Sequence, residues 1–504
     1  MKENEYDVII IGSGAGGLNA GVQIQSKNPG LRTLMFEKNT YPGGSIGGFF
    51  KEGFYFDVAA EAILNIEKNR AYLNLTECDF NHTFLKIDPI EAYYDDGRVF
   101  YFFSDKQKLL EEVKKHFPDQ VENTQRLIET SMKMGKELKA GNFSLGKLSF
   151  RKKITVIFKY PILRKYGRLS FKEYLDSFLT NDHLKKYFLI FSLWYGLPIE
   201  EIKATIGAGL LATVISGGLF YPEGGMEAFT KKLAELYVAR GGTLKYKTEV
   251  EKILIENKKA VGVKTKDGTT YSAKYIISNA DVKRTVFSYI GKEYFSSNYL
   301  EEIRNLKQSI TGIMLFLGVK GLDLSQYPAH FHVEVNGNIL KEIHQGNFNL
   351  EGIAVRIAAN KDSGMRTDSK DSLHALCFAP FDWNNYWQAG ESLKRGDEYR
   401  KLKDELTQKM IKKIEQVIPE ISKHIIYKSL STPLTFERYN LVEEGAWYGP
   451  RYNQKLPDFI MPIKNLFLAG GNTGGGGVTA ALNSGHKTAI YITELINQEI
   501  IKES

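Results

Sequence analysis

The stretch YDVIIIGSGAGGLNAGVQI (residues 6–24), with LRTLMF (31–36) and Glu37 behind it, carries the strongest signal in the chain. Tyr6 to Ile11 is a short apolar run that ends in glycines, the pattern of a parallel strand buried on both faces. Gly14 onward opens a helix through Ile24, and Leu31 to Phe36 reads as a second strand, so the segment has the size of one βαβ unit. Gly12, Gly14 and Gly17 match G-x-G-x-x-G, with Ala15 and Gly16 filling the loop. The first glycine allows a tight turn, the second lets a pyrophosphate approach the backbone, and the third packs helix on strand, while the helix N-terminus adds partial positive charge. Glu37 follows Gly17 by twenty residues, with Lys38 beside it. A carboxylate there accepts hydrogen bonds from ribose hydroxyls and repels a 2′-phosphate, which favours FAD or NAD over NADP.

Three further constellations extend the pattern. Pro42-Gly43-Gly44-Ser45 is followed closely by Gly53-Phe54-Tyr55-Phe56-Asp57. Tyr221-Pro222-Glu223-Gly224-Gly225-Met226 opens a helix to Arg240, and the residues after it alternate in period two around Lys266-Asp267-Gly268, a β-meander ending at Ser278-Asn279-Ala280-Asp281. Near the end, NLFLA (465–469) leads into Gly470-Gly471-Asn472-Thr473-Gly474-Gly475-Gly476-Gly477-Val478 and a helix to about Ile496, where a strand ending in glycines again presents backbone N–H groups and a helix dipole.

Together these motifs resemble the phytoene desaturase, carotenoid isomerase and retinol saturase family of FAD-dependent oxidoreductases, within the superfamily that includes amine oxidases and Rab escort proteins. The resemblance spans most of the chain and is weakest over residues 291–455. It implies FAD held non-covalently, with Gly43, Gly44 and Ser45 beside the diphosphate, the backbone of Val250 against the adenine, and Gly470, Gly477 and Val478 in the C-terminal flavin loop. Two departures stand out. Where many relatives carry Gly-Gly-Arg this chain has Gly43-Gly44-Ser45, which with Asp57-Val58 is similar to the carotenoid isomerase and retinol saturase branch; and Gly474 stands where proline is common.

The implied fold is α/β, of mixed α+β content: a two-dinucleotide-binding-domain flavoprotein with a Rossmann-like, glutathione-reductase-type FAD domain and an interleaved sheet-plus-helix substrate domain. At 504 residues the chain exceeds what one hydrophobic core organises. The expected division is a discontinuous FAD-binding domain (1–70, 222–290 and 456–504), a substrate-binding domain (71–107 and 291–455) and a helical insertion (108–221). Ser309–Val319, His330–Val335, Gly352–Ala358 and Ser372–Phe378 read as strands of a second sheet, with a long charged helix near Glu398 to Ile418.

Composition excludes several classes. Apolar residues at 43% and charged residues at 25% are ordinary for a globular protein. Cys78 and Cys377 are the only cysteines, so no disulfide framework, zinc cluster or paired redox thiol of a disulfide reductase is available. A reducing, cytoplasmic setting is expected, since the N-terminal residues run into a strand without the apolar region of a signal peptide. The greasy runs 188–197 and 206–221 are too short to span a bilayer, and the second holds four glycines. The net charge of +8 is concentrated: residues 147–172 hold nine Lys or Arg and no acid, leaving 58 basic against 59 acidic residues elsewhere. Apolar side chains interleave with those cations, which suits peripheral contact with an anionic membrane; no nucleic-acid-binding module accompanies them.

The substrate implied by the resemblance is a long hydrophobic polyene or isoprenoid lipid, a carotenoid or retinoid, desaturated or saturated by hydride transfer at flavin N5. The alternatives are a redox-neutral carotenoid cis-trans isomerase using reduced FAD, a non-catalytic lipid- or prenyl-binding escort protein, and an amine oxidase. No metal site is expected, and no catalytic side chain is named. His330 and His332 share one side of a predicted strand, and Trp383, Tyr386 and Trp387 form an aromatic cluster that suits either a tunnel wall or a core. Packing is the plainer role for both groups, and neither enters the candidate set.

Overall fold

In the computed structural model, the described residues are 4–73, 78, 80–141, 155–156, 158–192, 194, 196–197, 199–334, 339–344, 348–366, 369–382, 385–390 and 395–503. Strand Glu5–Ile11 enters a seven-stranded sheet with Val8, Ile9 and Ile10 sealed from solvent, as a central parallel strand requires. It pairs in parallel with Thr33–Phe36 on one edge and Thr270–Ser278 on the other, and Thr243–Lys245 extends the sheet beyond Thr33–Phe36. The meander is therefore split: its first short strand joins the parallel edge, and only Val250–Glu256, Lys259–Thr265 and Thr270–Ser278 form the antiparallel ribbon.

Thr270–Ser278 uses one edge twice. Thr270, Tyr271 and Ser272 pair with the meander strand, whereas Ile276, Ile277 and Ser278 pair in parallel with Leu466, Phe467 and Leu468. That register sets the loop after Ser278 beside the loop after Leu468, although nearly two hundred residues separate them in the chain. Helix Ala15–Lys27 packs against the C-terminal helix Val478–Glu503 over the same sheet.

A second seven-stranded sheet runs in the order Ile425–Ser431, Thr311–Lys320, Lys370–Ala379, Ile353–Ile357, His330–Val333, Glu91–Asp95, Arg98–Phe102. All its pairings are antiparallel except His330–Val333 with Glu91–Asp95. The four strands expected from sequence are present. The other three were not anticipated, although Asp96 and Gly97 both adopt positive φ between Glu91–Asp95 and Arg98–Phe102, which is the backbone of a two-residue hairpin turn. The described residues between 106 and 217 are mainly helical. Asp105 caps one helix through Gln107 N and Lys108 N, and Ser170 with Glu173 forms a capping box on another. A Cβ at Gly207 would collide with the Phe171 ring, which explains one glycine of the 206–221 run.

Among the described residues no helix is long and apolar enough to cross a membrane. Of the basic stretch 147–172, residues 147–154 and 157 lie outside the described part; in the remainder Phe158 is 81% exposed and Arg164, Lys165 and Arg168 are exposed beside it.

Candidate functional site

Both glycine-rich loops and the second sheet open onto one continuous cavity of about 720 Å³. Gly12, Gly14, Ala15, Gly16, Glu37, Lys38, Gly43, Gly44, Ser45, Val250, Gly470, Gly477 and Val478 all line it. Gly17 is the exception among the sequence-derived set. It stands behind the surface, where a Cβ would collide with Gly12 O, and so serves the helix–strand packing that the third motif glycine provides.

The loops are locked to one another by absence of side chains. A Cβ at Gly16 would collide with Gly470 N, one at Gly485 with Gly16 O, and one at Gly14 would sit 2.8 Å from Asn279 Nδ2. Gly43 adopts φ +111° and donates its N–H to Ser13 O at 2.8 Å, bringing the second glycine pair against the first. Asn472 ties the remaining loops, accepting from Val282 N at 3.1 Å and donating to Ala280 O at 2.8 Å. Helix Ala15–Lys27 has no side-chain cap and no acid in its first turn, so its N-terminal amides face the cavity with their dipole unopposed. This narrow, glycine-lined cradle fits a diphosphate.

Glu37 is buried at the far end of the cradle. Its Oε2 accepts from Ser13 N at 3.1 Å and Ser13 Oγ at 2.7 Å, while Oε1 accepts, among the described residues, from Asn39 N alone at 2.8 Å, leaving room on Oε1 for another donor such as a ribose hydroxyl. Lys38 donates to Arg438 O at 3.1 Å, and burial lowers its pKa. Asp281 also lines the cavity with Oδ2 lacking a partner among the described residues, and burial raises its pKa. It sits at the end of the quoted Ser278-to-Asp281 run but was not singled out from sequence.

The opposite wall is one face of the second sheet. His330 stands across from Arg356, Arg356 across from His374, and His374 across from Phe316, so these side chains form a row over four strands; His332 stands across from Tyr93 in the same way. Arg356 is 4% exposed and grips two acids, the half-buried Glu61 and the buried Glu91: Nε donates to Glu61 Oε2 at 2.7 Å, while Nη1 and Nη2 reach Glu91 at 3.2 and 2.8 Å. His374 Nε2 lies 2.7 Å from Glu61 Oε1. Burial opposes ionisation of Glu61, but Arg356 and His374 outweigh it and hold the carboxyl down at about 2. Around this polar row the lining is apolar, with Trp194, Leu210, Leu219, Ile353, Leu376 and Phe378.

His330 and His332 thus line the cavity, contrary to the packing role that sequence favoured for them. Period two placed them on one face correctly but carries no information about which face turns inward. Arg356, a lone charge inside the strand IAVRI, was the available signal for a buried ion network. Of the aromatic cluster, Trp387 belongs to the core: it is fully buried, donates Nε1 to Pro380 O at 2.8 Å and packs on Tyr399; Tyr386 is half-buried, and Trp383 lies outside the described residues. Burial pushes the Cys377 thiol up to about 12, so it is no thiolate nucleophile.

Comparison with known proteins agrees with this geometry. Residues 15–493 match the family model described as flavin containing amine oxidoreductase. The all-trans-retinol 13,14-reductase of Danio rerio is 24% identical over 92% of this chain and 82% of its own length. A chloroplastic prolycopene isomerase of an Oncidium hybrid cultivar is 28% identical over 93% of this chain and 79% of its own. Among solved structures, an oxidoreductase from Methanosarcina mazei superposes with a TM-score of 0.63 at 15% identity, over 96% of this chain and 99% of that one. With nearly its whole length inside the family match and a cradle that fits a dinucleotide, the chain belongs to the flavin containing amine oxidoreductase family and is an FAD-dependent oxidoreductase.

Proposed function

We propose that this enzyme acts on a C–C or C=C bond of a long hydrophobic polyene or isoprenoid lipid, as a carotenoid or retinoid desaturase or saturase. The observation that carries the reading is the shared cavity: a diphosphate-sized glycine cradle opens directly onto a wall whose lining is mainly aliphatic and aromatic. Bound FAD supplies the two-electron chemistry by exchanging a hydride at N5. The chain's own residues do the rest. Gly12, Gly14, Ala15, Gly16, Gly43, Gly44 and Ser45 receive the diphosphate, Glu37 and Lys38 the adenosine side, Val250 the adenine, and Gly470, Gly477 and Val478 the flavin end. In this reading 1–70, 222–290 and 456–504 hold the cofactor, 71–107 and 291–455 receive the substrate, and 108–221 is the insertion. Leu210, Leu219, Ile353 and Leu376 exclude water and hold an extended apolar chain against the flavin side.

An amine substrate suits this wall poorly. Of the acids an ammonium could pair with in the polar row, Glu61 and Glu91 are both taken up by Arg356. A redox-neutral isomerase using reduced FAD is the second reading, supported by the prolycopene isomerase likeness. Anaerobic incubation with phytoene, a poly-cis carotene and all-trans-retinol, with products separated by mass, tests both. Loss of two hydrogens with flavin bleaching marks a desaturase, gain of two with reduced enzyme a saturase, and mass-neutral conversion after reduction an isomerase. Unchanged substrates in every case would refute the polyene reading. The exposed Phe158 with Arg164, Lys165 and Arg168 supports peripheral contact with an anionic, cytoplasm-facing membrane, where such a substrate dissolves.

A further inference from the structure

The segment that ends helix Pro433–Asn440 lies beside the cofactor cradle. Tyr439, Asn440, Leu441 and Val442 line the cavity together with Gly43, Gly44 and Ser45. A helix C-terminus is the wrong end to set against an anion, because its carbonyls carry partial negative charge. Here those carbonyls are taken: Glu437 O accepts from Leu441 N at 2.9 Å, Arg438 O from Lys38 Nζ at 3.1 Å and Leu441 O from Arg284 Nε at 3.3 Å. What the helix offers the cradle is one side-chain amide. Asn440 Nδ2 donates to Ser45 Oγ at 3.1 Å, and among the described residues that is the only hydrogen bond of the Ser45 hydroxyl.

We infer that Asn440 is a positioning residue for the cofactor: by occupying a lone pair of Ser45 Oγ it turns the hydroxyl proton towards the cradle, where that proton is donated to a diphosphate oxygen. The inference rests on the placement of the diphosphate at Gly43, Gly44 and Ser45 and is independent of the substrate. A hydroxyl has one proton and two lone pairs, and it rotates to suit its neighbours. Facing the Asn440 N–H, Ser45 cannot point its own proton there, and no described residue accepts it. A diphosphate offers only acceptors, so it needs an oriented donor, and a hydrogen bond to a charged oxygen is the stronger kind. Ser45 stands where many relatives carry arginine. An arginine is a donor in every orientation, whereas a serine donates in a given direction only when something fixes it. The backbone around Ser45 is already held, since Ile46 N donates to Gly43 O at 3.1 Å and Ala60 N to Ser45 O at 3.0 Å, and rotation of the hydroxyl is the freedom that Asn440 removes.

The test compares FAD dissociation from purified holoprotein variants, followed by flavin fluorescence on dilution and read per folded protein. Ser45→Ala, which deletes the donor, is expected to weaken retention about tenfold. Asn440→Asp keeps the shape of the side chain but can only accept from Ser45, which draws the proton away from the cradle, and should also cost about tenfold. Asn440→Ala, which leaves the hydroxyl free to turn unaided, should cost about threefold. Made in the Ser45→Ala background, Asn440→Asp should cost about threefold at most, because only the repulsion between two negative groups remains. An Asn440→Asp variant that keeps FAD as well as the wild type overturns the inference, since the contact then merely ties the segment down. An Asp substitution that costs the same with and without the Ser45 hydroxyl overturns it too. If Ser45→Ala itself retains FAD like the wild type, the diphosphate does not lie at Ser45, and that placement falls together with the inference. If Ser45→Ala weakens retention while neither Asn440 variant does, the placement stands and only the role of Asn440 is removed.

Discussion

The two walls of the cavity are made in opposite ways. The cofactor wall is backbone: Gly14, Gly16, Gly43 and Gly470 meet Asn279, Thr230 and each other at distances that leave no room for a Cβ, and recognition falls to N–H groups and a helix dipole. The substrate wall is side chain: Glu61, His330, His332 and Arg356 line it among apolar neighbours, backed by Glu91 and His374 on the same sheet. Backbone recognition ties a site to a ligand common to the whole family. Side-chain recognition can be retuned by a single substitution, and there the polar row gives this chain its individual character.

The contrast implies that damage to the substrate wall reads out first as stability, and damage to the cofactor wall as flavin content. The largest effect is expected from Arg356→Met, which leaves the buried Glu91 without its guanidinium and Glu61 with His374 alone of its two hydrogen-bond partners. Denaturant unfolding should show a loss of about 3–5 kcal/mol, and an unchanged midpoint would mean that the network does not hold the wall. Acid should act on the same network. The Glu61 carboxyl is held at about 2 against an ordinary value of 4.5, so the stability it contributes is fully present above 4.5 and is lost as pH falls towards 2. Roughly 3 kcal/mol is at stake in that window. Glu61→Gln should flatten the dependence of unfolding free energy on pH there; an equally steep curve in the variant would place the titration elsewhere.

On the cofactor side Glu37→Arg should weaken FAD retention by about tenfold to a hundredfold, from loss of a charged hydrogen-bond acceptor, read as flavin bound per folded protein. Wild-type flavin content after desalting would contradict the placement of the ribose. The smallest effect lies outside both walls. Arg164→Ser and Lys165→Ser should each reduce sedimentation with anionic vesicles by about fivefold at low salt, the worth of one cation near a charged surface. No change with either would remove the membrane contact.

The same contrast explains what the sequence revealed. The cradle was legible because its signals are local: Gly12 to Gly17, Gly43-Gly44-Ser45 and Gly470 to Val478 each lie within one loop, and the helix and strand patterns around them fix their context. What the sequence could not show is that Gly16 meets Gly470, because that depends on Thr270–Ser278 accepting Leu466–Leu468 along half of one edge. The polar row was illegible for a related reason. Its members come from positions 61, 91, 330, 332, 356 and 374; the strand order of the second sheet makes five of them neighbours, and Glu61 joins them from the loop after Phe54–Asp57. Strand Ile425–Ser431 escaped notice because it sits at the sheet edge with half-exposed positions and a lysine within it, so neither a buried run nor a clean alternation marks it.

If a flavin cradle and a polyene wall share one cavity, a polyene must be felt by the flavin. The most direct measurement is therefore a titration of the purified holoprotein with all-trans-retinol under anaerobic conditions, following the visible flavin band and protein fluorescence together. The predicted result is a saturable perturbation of the flavin band with the same midpoint as the fluorescence change. A protein that takes up no FAD, or one that binds the polyene while its flavin band stays unmoved, would contradict the account.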